Sequence, residues 1–117
     1  MSTKAVLQDY FAALQRKRGW ESFLADELAF TSFASPIKRL AGKAAYLEST
    51  KRFFAMVSSV ELRSLIVDGA SACALTRYQL QPPRGAGFQS DVAEIFTVRD
   101  GKIESLGIYF DASPFPK

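Results

Sequence analysis

At 117 residues the chain has the length of one domain, and its 48% apolar residues match an ordinary globular protein. Fifteen basic against twelve acidic residues leave a formal charge of +3, a mild excess that falls short of a dedicated nucleic-acid binder's positive field. With no histidine and one cysteine, Cys73, the sequence excludes Ser-His and Cys-His nucleophile pairs, His-ligated metals, internal disulfides and Cys clusters for zinc or iron–sulfur.

The chemistry that remains belongs to carboxylates, tyrosines and arginines. The acids are scattered without calcium-loop spacing, so neither a metal nor an organic cofactor is expected. Met1 to Gln8 lacks the apolar run of a secretory signal, and no stretch approaches the roughly 18 apolar residues of a membrane span. The expectation is a soluble cytoplasmic protein made of one domain, residues 1–117.

In chain order, Leu7, Tyr10, Phe11 and Leu14 recur at the spacing of one helical face. Ser2 or Thr3 can cap that helix, and Arg16, Lys17 and Arg18 suit its negative end before Gly19. A short second helix is predicted from Trp20 to Ala25, then a strand around Leu28 to Phe33, broken at Ser35-Pro36. After Gly42 a third helix presents Leu47, Phe54 and Val57, flanked by Tyr46 and Phe53. From Ser59 the period changes to two: Val60, Leu62, Ser64 and Ile66 alternate with Glu61, Arg63, Leu65 and Val67. Further strands are predicted from about Ala70 to Leu80, from Phe88 or Gln89 to Val98, and from Lys102 to Phe110. Asp68-Gly69 and Asp100-Gly101 supply tight hairpin turns, and the Pro82 to Gly87 segment a looser loop. Helices first and a four-stranded meander last describe an α+β cone: a curved antiparallel sheet with N-terminal helices packed on its concave face.

This order of elements resembles the nuclear-transport-factor-2-like superfamily, in its SnoaL-like branch of polyketide cyclases and relatives of ketosteroid isomerase. The resemblance spans essentially the whole chain and rests on three stretches. These are Phe23-Leu24-Ala25-Asp26-Glu27-Leu28-Ala29-Phe30, Leu40-Ala41-Gly42-Lys43, and Asp91 to Ile103 running into Tyr109-Phe110-Asp111. It implies a small apolar organic ligand and, with the apolar residues Ile95 and Tyr109 on the uncovered sheet face, a homodimer, while the mild charge and the lack of an apolar span speak against a nucleic-acid or membrane partner. It also implies roles for Tyr10, matching the isomerase tyrosine that donates to an oxyanion, and for Glu94, matching the acid that supplies the second donor. The isomerase base position falls on Phe33, the polyketide-cyclase acid–base position falls near Ile108, and the Arg-x-Asp of limonene-type epoxide hydrolases reads Arg77-Tyr78-Gln79. No established reaction of the scaffold therefore has its full residue set here, and a non-catalytic binding module stands beside isomerase, cyclase or dehydratase chemistry.

Read from the residues alone, Glu94 shares its strand face with Val92, Phe96 and Val98, and an acid there is costly unless protonated, paired or open to a cavity. Pairing with Arg77 is one such outcome. Tyr10 lies in a core stripe, where a tyrosine commonly packs its ring and finds one partner for its hydroxyl. Arg77 and Arg84 fit a ligand carboxylate or a surface ion pair. The clusters Arg16-Lys17-Arg18, Lys38-Arg39 and Lys51-Arg52 read as helix-end electrostatics and solvated faces, and Cys73 as a small buried hydrophobe. Phe33, Phe54, Phe96, Leu106 and Ile108 are candidate pocket walls around Glu94 and Tyr10, although phenylalanines fill a dry core equally well.

Overall fold

Two periodicities in the chain become two layers. A computed structural model describes residues 2–34 and 36–115; Ser35, half of the predicted Ser35-Pro36 break, lies outside them. Helix α1 (Thr3–Arg16) is capped by the Ser2 hydroxyl, which accepts from the Ala5 amide at 3.0 Å. It stops at Lys17, a left-handed residue whose amide returns to Ala13 and Leu14, so the stop precedes the expected Gly19. Trp20–Phe23 form a single 3-10 turn. The predicted second helix is cut short because strand β1 (Leu24–Ser32) already begins at Leu24. A short strand that sequence reasoning missed, β2 (Lys38–Ala41), pairs antiparallel with β1 and leads through Gly42 (φ 100°) into α2 (Lys43–Met56). Then come β3 (Val57–Asp68), β4 (Ser71–Leu80), β5 (Phe88–Arg99) and β6 (Lys102–Phe110).

The six strands form one sheet in the order β2-β1-β6-β5-β4-β3. The meander is antiparallel as expected, but β1 runs parallel to β6, so the sheet is mixed and not wholly antiparallel. At Asp100-Gly101 both turn residues have positive φ (52° and 75°), as a type I′ hairpin requires. The first hairpin turns one residue later than predicted, at Gly69-Ala70, with only Gly69 at positive φ (61°), the II′ pattern.

Bulges bend the sheet and reset its faces. An irregularity between Leu62 and Ser64 pairs Leu65 with Ala74 and Ile66 with Cys73. Parity therefore flips, and Leu65 turns to the helix side while Ile66 stands 60% exposed on the outside. Simple alternation had put Ser64 and Ile66 on the same face as Val60. Helix α1 lays Val6, Leu7, Tyr10, Phe11 and Leu14 on the concave face, where the small residues Ala72 and Ala74 give it room. Phe96, fully buried, meets the rings of Tyr10 and Phe11 edge-on, each at 5.9 Å.

Candidate functional site

Following any of the central strands away from α1 leads from packed core to open space under α2. On β5 the inward residues run Phe96, Glu94, Val92, Ser90; on β6 they run Leu106, Ile108, Phe110. The register pairs Phe96 with Leu106 and, one step nearer the opening, Glu94 with Ile108. A cavity of about 190 Å³ begins at that second pair. Its wall on α2 includes Tyr46, Phe53 and Phe54, its sheet side Phe30, Tyr78 and Ile108, and its outer end Phe115. A larger open groove of about 570 Å³ beside the β5–β6 turn mixes four acids with three bases around Leu24 and Ala25. None of its acids is buried, so the smaller cavity holds the distinctive chemistry.

That chemistry centres on Glu94, 3% exposed and one of three buried polar residues, with Thr76 and Ser90, among those described. All three project inward from β4 and β5, the strands that floor the cavity. The Thr76 hydroxyl donates to Glu94 Oε2 at 2.7 Å and the Tyr78 hydroxyl donates to the same oxygen at 2.9 Å. Both donors thus converge on Oε2; Oε1 has no such partner, and as no sealed side-chain oxygen among the described residues lacks one, Oε1 is open on the cavity that Glu94 lines. Burial pushes the carboxyl up to about 7, against the opposing pull of the two hydroxyl donors. Burial also holds Tyr10, Tyr46 and Tyr78 well above the ordinary tyrosine value, so all three keep their protons as donors.

The structure sorts the residues singled out from sequence. Glu94, Phe54 and Ile108 line the cavity. Tyr10 does not: it is sealed in the core (1% exposed) and its hydroxyl meets that of Tyr46, which does reach the cavity. Phe96 and Leu106 pack beneath the cavity floor as core residues, one register step too deep to form its wall. Phe33 lies on the opposite side of the sheet, stacked on Tyr109 at 4.4 Å and 6°. Its ring sits over Gly107, where an added Cβ would come within 3.0 Å of it. In that segment the cavity-facing residue is Ser32. Arg77 also faces outward, in a two-bonded ion pair with Asp91 (2.8 and 3.2 Å), and so neither neutralises Glu94 nor reaches a ligand there. Cys73 is half-buried on the same outer face, paired in register with Ile66 and Ile95.

Sequence reasoning missed Thr76, Tyr78 and Tyr46. A signal existed for the first two, since Thr76 and Tyr78 continue the inward series of Ala72 and Ala74 and pair in register with Val92 and Ser90. Tyr46 stands where α2 turns its buried side to Phe30, ring to ring at 4.9 Å.

A helix-lined, curved mixed sheet with one buried acid among the described residues defines an α+β cone. Residues 7–106 match the family model of the SnoaL-like domain, and the chain belongs to that family. No curated protein matches the sequence. Solved structures share the fold: an NTF2-like protein from Burkholderia thailandensis E264 has a TM-score of 0.82 at 19% identity, covering 97% of this chain and 93% of that one. An epoxide hydrolase of the LEH-like kind from M. tuberculosis gives 0.75 at 21% identity, over 95% and 84%. The protein TerC, co-crystallised with polyporic acid, gives 0.78 at 17% identity, over 97% and 94%. Among the described residues no helix is long and apolar enough to cross a membrane, and no cluster of potential ligands suits a metal ion.

Proposed function

We propose that the cavity binds a small, largely apolar organic molecule bearing a carbonyl or enol oxygen, and that Glu94 exchanges a proton with it, in chemistry of the isomerase or cyclase type. The observation that carries this reading is the Glu94 carboxyl: buried, held by two donors on one oxygen, with the other oxygen on the cavity. A carboxyl at about 7 is split between its acid and base forms near neutral pH, the condition for general acid–base work in both directions. Protonated, it donates to a ligand oxygen; ionised, it takes a proton from the carbon beside the carbonyl, the C–H electron pair passing into the enolate, and after exchange with solvent the carboxyl returns a proton to carbon. Tyr46, kept protonated and backed by Tyr10, is the neighbouring hydrogen-bond donor for the oxygen of that enolate.

The epoxide-hydrolase alternative loses support because Arg77 points away from the cavity. A purely binding role is favoured by one fact: among the described residues Glu94 is the only carboxylate lining the cavity. Deuterium exchange separates the two. In D2O, the methyl protons of 2-acetylnaphthalene are expected to exchange faster with the protein present, and Glu94→Gln is expected to abolish the acceleration while keeping the ketone bound. Binding without acceleration would leave the binding role alone, and no binding at all would overturn the reading.

The outer face of the sheet supports a second part of the proposal, a homodimer. Ile66, Leu75, Ile95 and Tyr109 stand 43–60% exposed there, an apolar patch on otherwise polar strands. A second copy packing face to face would cover it by an isologous contact.

A further inference from the structure

One cross-strand row of the sheet runs Lys38, Ser32, Ile108, Glu94, each residue the register partner of the next. All four face the cavity. Glu94 is at the inner end of the row and Lys38, on the edge strand β2, is at the outer end. Three strand spacings separate them, about 14 Å between Cα atoms on a flat sheet and less on a curved one. Both side chains reach inward, so the gap between ammonium and carboxyl is the length of a substituted ring system.

Lys38 is aimed. Its Nζ, on an exposed side chain, donates to the Ser49 hydroxyl of α2 at 2.6 Å, and both residues line the cavity together with Ser32 and Thr50. Among the described residues no carboxylate lies within 4 Å of it; the ion pairs there join Arg77 to Asp91 and Arg99 to Glu104. A lysine ammonium has three donor hydrogens and the serine bond uses one, so two remain for a ligand. The adjacent Arg39 pairs with Thr31 and by alternation belongs to the other face.

Resting on the reading above, we infer that Lys38 selects the ligand class: an acid whose apolar ring body fills the cavity, with a carboxylate on Lys38 at one end and a carbonyl or enol oxygen at Glu94 at the other. Lys38 is a specificity residue, and the anion it binds also keeps the reacting end pointed inward. A charge-assisted bond at a partly open site is worth about a three- to tenfold preference.

Two probes of one shape test this, 6-acetyl-2-naphthoate and neutral 2-acetylnaphthalene, titrated into the full chain by NMR at low salt. The wild type is expected to bind the carboxylate about three- to tenfold more tightly than the ketone. Lys38→Met is expected to erase that preference while leaving the ketone's affinity within twofold, and Lys38→Arg to retain it. Arg39→Met removes the same charge from the other face and is expected to change nothing. An equal affinity for the two probes in the wild type, a preference that survives in Lys38→Met, or one that disappears in Arg39→Met would overturn the inference while leaving the cavity reading intact. Failure of both probes to bind would overturn both.

Discussion

Raising the pH should weaken this fold through one side chain. In the unfolded chain the Glu94 carboxyl has its ordinary value of 4.5, and in the folded protein burial raises it to about 7. The folded state therefore holds the proton more tightly, and between pH 4.5 and 7 it carries more protons than the unfolded state. Stability from this group is complete below about 4.5 and is lost as pH climbs through 7. At 1.36 kcal/mol per pKa unit, the loss amounts to about 3 kcal/mol, or on the order of 10 °C in Tm for a domain of this size. Glu94→Gln keeps an acceptor for the Thr76 and Tyr78 hydroxyls and cannot titrate, so it isolates the effect. Asp91 and Asp111 are lowered by their own partners and act in the opposite direction, but they are common to both proteins and cancel in the difference. Urea unfolding followed by Trp20, which packs on Phe54 at 4.5 Å, supplies the assay. The variant should gain on the wild type by about 3 kcal/mol between pH 4.5 and 8. Stability curves that stay parallel across that range would refute the buried, cavity-facing acid.

Other outcomes follow from the same packing. Phe96→Ala should cost about 3–5 kcal/mol by denaturant titration, because the ring is fully buried between Tyr10 and Phe11, whereas Phe54→Ala on the cavity wall should cost clearly less and weaken 2-acetylnaphthalene binding. Phe115 closes the outer end of the cavity against Phe88 (5.1 Å) and Phe110 (5.3 Å), so Phe115→Ala should raise the ligand's dissociation rate with a modest loss of stability, read by stopped flow and thermal melts. Light scattering at micromolar concentration should give twice the chain mass, and Ile95→Asp should shift it toward monomer; a monomeric wild type would remove the dimer from the proposal.

Much of the scaffold was legible in the sequence because local physics decides it. The i, i+3, i+4 stripe of α1, a cap at Ser2 or Thr3, the period-two runs of β4, β5 and β6 and the Asp100-Gly101 turn are set by neighbours within a few residues, and each appears within a residue of where it is predicted. The parity of Glu94 with Val92, Phe96 and Val98 belongs to this class too, since pleating alone dictates it. Tertiary structure decided the rest. The bulge at Leu62–Ser64 turned Ile66 outward, and β1 chose β6 as a parallel partner from the far end of the chain. Whether an inward residue meets solid core or open space depends on which helix lies above it. Phe96 under α1 is packed, while Glu94, two residues away on the same face, opens under α2. No local pattern encodes that distance along the cone. For the same reason Tyr10 gave way to Tyr46 at the cavity, and Lys38 took its place in line with Glu94 through three strand pairings that only the assembled sheet creates.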